Sequence, residues 1–214
     1  MSYYTDLINK AKGIGLFNIN SWAAKKWFQA QAAKVRGASP ETIMRSDPTA
    51  LRPASGINAQ MIGQMLMYFY DAKTKKQLPY YDRFPLIFVL GPSKKVKGAY
   101  LGLNMHYLPP YHRAKLFDAL KKGTNLVDPN ARERFNYGTL KSASQYAAYK
   151  PCLKMYLYGY VKSQFFVVPN EQWDTVLFLP LARFVSGGKS KSGVVDGYIS
   201  IQKVYSDSLK KARL

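Results

Sequence analysis

The chain has 214 residues, of which 47% are hydrophobic and 14% aromatic, and this length and composition predict a folded protein with one sizeable core. Lys and Arg number 32 against 12 Asp and Glu, so the formal net charge is +20. Such a charge predicts an anionic partner, which is nucleic acid, an acidic protein or an anionic membrane surface. A single cysteine, Cys152, excludes an intramolecular disulfide framework and a cysteine-based structural zinc site. No apolar run approaches the roughly 20 residues of a membrane helix, and no membrane span is predicted.

Residues 1–36 are predicted to form a basic amphipathic helical arm, in which Asp6 is the one acidic residue. Ser21 is placed to cap a helix that continues to about Val35. The basic residues of this arm are predicted to bind the partner: Lys10, Lys12, Lys25, Lys26, Lys34 and Arg36. Its large aromatic residues, Trp22, Trp27 and Phe28, are predicted to dock on a partner surface or on the protein's own core. Residues 37–56 are rich in Pro, Ser, Thr and Gly, which predicts a linker.

Residues 57–205 are predicted to form an α+β body that begins with strands. Apolar runs at 65–70 and 86–90 and clean alternation at 99–108 predict three strands of an antiparallel meander with one solvent-exposed face. The spacing of Leu116, Phe117 and Leu120 predicts a helix over 111–122, with Arg113 on its outer face.

The second half of the body mixes further helices and strands. We predict helices at 140–149 and 153–161, strands at 164–168 and 175–179 that form a hairpin, and a last strand at 198–205. Residues 206–214 then form a basic tail. The predicted fold is therefore a small antiparallel sheet or partly open barrel with inserted helices.

Basic and aromatic residues alternate without one acid between residues 141 and 162. Lysines neutralise phosphates and tyrosines stack on bases, so this stretch predicts a nucleic-acid or partner surface. The equally weighted alternative is a solvated lysine face beside tyrosines at the rim of the core. The lysines predicted to bind are Lys141, Lys150, Lys154 and Lys162, with Lys189 and Lys191 in a glycine-rich loop and Lys210 and Lys211 in the tail.

No catalytic motif is complete in the sequence. Gly188-Lys189-Ser190 resembles the end of a phosphate-binding loop, but Arg183 stands where that motif needs glycine. His106 and His112 have only Cys152 or Asp118 as further metal ligands by type. Three aspartates are available to a metal-dependent nuclease, but their spacing gives it no support: Asp71, Asp82 and Asp118. The sequence therefore predicts no enzyme, no metal and no cofactor.

Three motifs carry a resemblance over about residues 60–185. They are Leu78-Pro-Tyr-Tyr-Asp-Arg-Phe-Pro-Leu86, Leu101-Gly-Leu-Asn-Met-His-Tyr-Leu-Pro-Pro110 and the segment from Val168-Pro-Asn-Glu-Gln-Trp173 to Arg183-Phe184. The chain resembles small virion proteins of T4-like contractile-tailed phages. The resemblance implies a role in virion morphogenesis, either as a DNA-end protector that travels with the genome or as a baseplate-hub component. Prolines at 79 and 85 predict a rigid aromatic loop whose interface residues are Tyr80, Tyr81 and Phe84.

The sequence and the resemblance together predict a non-enzymatic structural or morphogenesis protein of a tailed phage virion. Its basic surface faces DNA or acidic virion partners, and duplex DNA is bound through phosphates without sequence reading. The alternative is a tail or baseplate component that contacts only other virion proteins, and a metal-dependent nuclease ranks below it. The predicted location is the virion, after synthesis in the host cytoplasm.

Overall fold

Strands and helices were assigned in a computed structural model that describes residues 3–13, 50–51, 61–122, 137–178, 184–186, 198–199 and 201–212. The described strands are β1 (Ala50–Leu51), β2 (Met65–Met67), β3 (Tyr80–Asp82), β4 (Leu86–Pro92), β5 (Ala99–Asn104), β6 (Leu153–Leu157), β7 (Phe165–Val167), β8 (Phe184–Ser186) and β9 (Tyr198–Ile199). The described helices are α1 (Tyr3–Gly13), α2 (Pro110–Lys121), α3 (137–143), α4 (Trp173–Leu177) and α5 (Ile201–Ala212). Single 3-10 turns lie at Met105–Tyr107, Lys150–Cys152, Tyr158–Tyr160 and Asn170–Gln172.

The strands form two antiparallel sheets, neither of which closes into a barrel. The larger sheet has the strand order β1, β7, β2, β4, β5, β6, and the smaller has the order β3, β8, β9. The predicted meander is present, since β4 pairs with β2 on one side and with β5 on the other. The register of β4 and β5 shifts between Val89 and Gly91, and Gly91 has the positive φ of a glycine bulge. The predicted α+β class with an open antiparallel sheet is confirmed.

Both faces of the meander of β2, β4 and β5 are largely buried, so the predicted solvent-exposed face is wrong, although β6 at the sheet edge exposes Leu153 and Met155. Met65 and Met67 of β2 face one core together with residues of α1, α2, α4 and α5. Leu66 faces a second core, which is rich in tyrosines. Because the aromatic side chains of the sheet pack against each other there, as in the 25° stack of Tyr100 on Tyr156, water does not reach this face.

Three predicted elements differ from the structure. The predicted helix at 153–161 is strand β6 followed by a 3-10 turn, because β6 pairs with β5 over its whole length. The predicted strand at 175–179 and its hairpin are replaced by α4, which buries Trp173, Val176 and Leu177 at helical spacing. The predicted strand at 198–205 ends after β9, and α5 begins at Ile201, with Val204 and Ser208 buried one turn apart.

Helix α1 lies in the predicted basic helical arm, but at 3–13, whereas the sequence predicts the helix of this arm at 21–35. Tyr4, Ile8 and Ala11 are buried at helical spacing, and the ring of Tyr4 meets Phe117 of α2 edge to face. Asp118 of α2 accepts hydrogen bonds from the backbone N–H groups of Tyr4 and Thr5 at 2.8 and 3.0 Å. A carboxylate at the first turn of α1 satisfies backbone donors that have no partner within the helix.

Arg113 is wholly buried, so its predicted place on the outer face of α2 is wrong. Its guanidinium donates hydrogen bonds to four backbone carbonyls, which belong to Met105, Leu108, Val176 and Leu177. These bonds connect α2 to the 3-10 turn after β5 and to α4. Burial lowers the pKa of this guanidinium.

The helix predicted at 21–35, the linker at 37–56 and the loop at 187–193 lie outside the described residues, apart from the two residues of β1. The division into arm, linker, body and tail stays a prediction. Within the described ranges, no helix combines the length and the apolar character that a bilayer crossing requires.

Candidate nucleic-acid interface

Three lysines lie close to exposed tyrosine rings of α1 and α2. The ammonium of Lys115 lies 4.6 Å from the ring centre of Tyr111, and that of Lys12 lies 6.0 Å from it. The ammonium of Lys121 lies 3.6 Å from the ring centre of Tyr3. Tyr111 and Tyr3 are 39% and 42% exposed. We call these five residues the helical basic face, and it offers cations for phosphates together with flat rings for stacking.

A cavity of about 190 Å³ lies where β3, β6 and α5 meet. We call it the Lys154 cavity, because Lys154 reaches into it from β6 and Lys211 from α5. Its aromatic wall includes Tyr80, Tyr107 and Tyr156. The cavity therefore combines two lysines with several ring faces.

Lys154 lies in surroundings that disfavour its charge. Its pKa is lowered to about 8, chiefly by burial, while Cys152 raises it and the nearby Lys211 lowers it by smaller amounts. Its ammonium lies 4.0 Å from the ring centre of Tyr107, a position in which the ring face attracts the cation. Burial raises the pKa of Cys152 to about 12, so this thiol stays protonated at neutral pH.

A buried polar network fixes the wall beside Lys154. Asp82 Oδ2 lies 2.8 Å from His106 Nδ1 and accepts a hydrogen bond from Asn104 Nδ2 at 3.0 Å. Asp82 Oδ1 accepts a bond from the backbone N–H of Phe84, and Asn104 also donates to the hydroxyl of Tyr156. Since Asp82 belongs to β3, Asn104 to β5 and Tyr156 to β6, the network joins the two sheets beside the cavity.

The structure distributes the predicted lysines over several surfaces. Lys10 and Lys12 lie on α1, and Lys141 lies on α3. Lys154 and Lys211 meet in the cavity. Exposed lysines outside it are Lys150, Lys162 and Lys210. The remaining predicted residues lie outside the described part of the chain: Lys25, Lys26, Lys34, Arg36, Lys189, Lys191, Trp22, Trp27 and Phe28.

The three predicted interface aromatics of the loop at 79–85 are buried within the chain. Tyr80 and Phe84 belong to the first core and Tyr81 to the second. Tyr80 and Tyr81 also line the Lys154 cavity. Their burial shows that these rings pack within the protein, and a contact with a partner stays a prediction.

The comparison with protein families is decisive for identity. The family model described as phage T4 terminal DNA protecting protein matches residues 9–207. The chain belongs to this family. The predicted resemblance to T4-like phage proteins is thereby confirmed in its DNA-end-protector form, and the family is one of phage protecting proteins rather than of enzymes. No curated protein and no solved structure matches the chain.

In this member of the family, three aspartates that sequence reasoning considered for a nuclease have separate partners. Asp71 forms an ion pair with Lys75 at 2.9 Å, Asp118 binds the first turn of α1, and Asp82 belongs to the buried network. Among the described residues, no group of three or more His, Cys, Asp and Glu is arranged to hold a metal ion. The structure thus gives the nuclease alternative no cluster in this part of the chain.

Sequence reasoning missed several residues of both surfaces. Tyr111 and Lys115 are four residues apart on α2, a helical spacing that brings them together and that was available as a signal. Tyr107 and Ser208 reach the cavity only because β6 and α5 fold next to them, and no local pattern indicates this.

Proposed function

We propose that this phage protein binds the ends of linear duplex DNA through phosphate contacts and thereby covers them, without catalysing a reaction. The family description and the net charge of +20 support the proposal. The observation that carries the DNA contact is the helical basic face, where exposed tyrosine rings lie beside Lys12, Lys115 and Lys121.

Binding of this kind depends strongly on salt. Lysines that neutralise phosphates release condensed counterions, so affinity falls steeply as the salt concentration rises. Within the described part of the chain, Lys12 and Lys115 have no carboxylate partner, whereas Lys75 and Lys203 form ion pairs with Asp71 and Asp207. An end that is covered in this way is closed to exonucleases, which must reach the terminal nucleotide.

We also propose that the protein is synthesised in the host cytoplasm and travels in the virion with the genome end, in contact with other virion proteins. Support comes from the family, which is one of phage proteins. Detection of the protein in purified particles by mass spectrometry tests this location, and its absence from particles that package DNA normally would contradict it.

The first experiment compares linear with closed circular duplex DNA. The purified protein is titrated onto labelled linear duplex at low and at physiological salt, with either DNA as competitor, and binding is followed by fluorescence anisotropy. We expect salt-sensitive binding that circular DNA displaces poorly, and slower digestion of the bound linear DNA by an exonuclease. Equal competition would reduce the function to general phosphate binding, and no binding at low salt would favour the protein-only virion component.

A matched pair of variants tests the surface. Lys12→Gln, Lys115→Gln and Lys121→Gln together remove three charges from the helical basic face. The control removes three charges from the exposed β4–β5 turn, through Lys94→Gln, Lys95→Gln and Lys97→Gln. We expect the first variant to lose exonuclease protection at concentrations where the control retains it. Equal losses would show that total charge, and not this face, determines binding.

A further inference from the structure

The Lys154 cavity is too small for a large ligand. Its volume of about 190 Å³ lies below the roughly 300–1,000 Å³ that drug-sized molecules occupy. Three separate elements enclose it, since Tyr80 comes from β3, Lys154 from β6 and Ser208 from α5. A group that fits inside must therefore be compact.

The charge in the cavity favours an anion. Lys154, which is half-buried, and Lys211, which is exposed, line the same space. Two ammonium groups in one cavity repel each other, and an anion bound between them would relieve this repulsion. Asp82 also lines the cavity, but both of its carboxylate oxygens face donors of the buried network, on His106, Asn104 and Phe84.

The aromatic wall of the cavity is held in place by contacts within the protein. Tyr107 lies under the ammonium of Lys154, and Tyr80 stacks on Tyr107 at 25° with ring centres 6.2 Å apart. The hydroxyl of Tyr80 donates to Asp207 at 3.2 Å, which fixes this ring beside α5. These contacts cover the ring faces and give the cavity a rigid apolar wall beside Lys154.

We propose that the Lys154 cavity binds the phosphomonoester at the end of a DNA strand, an inference that rests on the proposed binding of DNA ends. A terminal phosphate is substituted once and fits a small recess with walls on three sides more easily than an internal phosphodiester, which carries a sugar on both sides. At neutral pH a phosphomonoester carries a charge of about −1.5 to −2, which matches two lysines. In this arrangement Lys154 and Lys211 contact the phosphate, and the helical basic face contacts the duplex behind it.

The test uses one blunt duplex in three forms, with 5′-phosphates, with 3′-phosphates or with hydroxyl groups at all ends. Full-length protein is titrated with each form at physiological salt. We expect one phosphorylated form to bind about tenfold more tightly than the hydroxyl form, as charge-assisted hydrogen bonds to a dianion require. The form that binds more tightly identifies which strand end enters the cavity.

Variants connect this preference to the cavity. Lys154→Met and Lys211→Met are each expected to reduce the tenfold preference to about onefold or twofold while binding of the hydroxyl form persists. Lys94→Met, on the exposed β4–β5 turn, is the control and is expected to retain the preference. Because Lys211 is exposed on α5, its variant folds even if the Lys154 variant does not, and circular dichroism checks both.

The outcomes separate this proposal from the one on which it rests. Equal affinity for the three forms overturns the phosphate site and leaves the binding of DNA ends intact. A preference that survives in both lysine variants places the phosphate elsewhere and overturns the cavity assignment. No binding to any duplex overturns both proposals together.

Discussion

Lys154 is a charged side chain that the fold partly buries. Its stem lies in β6, its ammonium lies over the ring of Tyr107, and burial lowers its pKa to about 8. A lowered lysine pKa means that the folded protein binds this proton less well than the unfolded chain does. The charge therefore destabilises the fold, and a methionine of similar length would avoid this cost.

Lys154→Met is expected to stabilise the protein at pH 7 and to lower its affinity for anions. One pKa unit corresponds to ~1.4 kcal/mol, and water reaches part of this side chain, so we expect a gain of about 1 kcal/mol. The free energy of unfolding is measured by urea denaturation, with Lys94→Met as a control that changes it by less than about 0.5 kcal/mol.

The pH dependence of this gain follows from linkage. Between the folded pKa of about 8 and the ordinary lysine value of 10.5, the unfolded chain binds more protons than the folded one. The stability of the unmodified protein therefore rises with pH across this window, and the advantage of Lys154→Met disappears towards its upper end. A constant advantage from pH 6 to pH 10 would show that packing, and not charge, explains it.

Arg113 connects three elements through one planar group. Two of its nitrogens donate to the carbonyls of Val176 and Leu177 in α4 and of Met105 and Leu108 after β5, at 2.8 to 3.1 Å. Arg113→Lys removes the fork, and a single ammonium cannot reach all of these carbonyls. Unsatisfied buried carbonyls cost about 1–3 kcal/mol each, so we expect a loss of about 2–4 kcal/mol in urea denaturation.

The control for this variant is Lys115→Arg, two residues further along α2. It exchanges the same two residue types on the helical basic face and is expected to change the free energy of unfolding by less than about 0.5 kcal/mol. A similarly small effect of Arg113→Lys would contradict the assigned role of the guanidinium.

Among the strands, β4 and β5 are held together at a position that admits no side chain. A Cβ atom at Gly102 would lie 2.6 Å from Ile87 Cδ1 and 3.2 Å from the carbonyl oxygen of Phe88. Gly102→Ala is therefore expected to destabilise the protein by about 1–3 kcal/mol through overpacking. Gly159→Ala is the matched control, because a Cβ there has nothing within 4 Å. Thermal unfolding of both variants measures the difference, and equal melting temperatures would contradict the predicted clash.

Some elements can be predicted from the sequence alone, because the spacing of their apolar residues indicates one type of secondary structure. The apolar run at 86–90 predicts β4, although not its burial on both sides, and the spacing of Leu116, Phe117 and Leu120 predicts α2. The segment of β6 is different, because a short run of Leu, Met and Tyr fits either a helix or a strand. Pairing with β5 decides between them, and pairing between distant segments is invisible to local periodicity.

For the whole molecule, the composition determines the excess of positive charge, and the fold determines which lysines lie close together. The sequence predicts an anionic partner from +20 and proposes several of the lysines that the structure places on surfaces. It does not predict that Lys154 and Lys211 meet, because 57 positions and several elements separate them and only the packing of α5 beside β6 joins them.

The proposed contact of the helical basic face with DNA is tested by the salt dependence of binding, which reports the number of phosphate contacts. Removal of Lys12, Lys115 and Lys121 is expected to make the slope of log K against log salt shallower by about 2.7, which is ~0.9 for each lost contact. The same loss of three charges at Lys94, Lys95 and Lys97 is expected to leave the slope within about 0.5 of its original value. Anisotropy titrations over a range of salt concentrations give both slopes, and a shallower slope in the control would mean that DNA lies along the β4–β5 turn instead.

The three walls of the Lys154 cavity come from residues 80–82, 154–156 and 208–211, which the ribosome releases in that order. Two walls are therefore complete while the third is still being synthesised. A nascent chain that ends before α5 lacks Lys211 and has only an open trough at Lys154, so it cannot hold a strand end as the finished protein would. On the proposed assignment, the site for the strand end is therefore the last part of the protein to form, well after the helical basic face of α1 and α2.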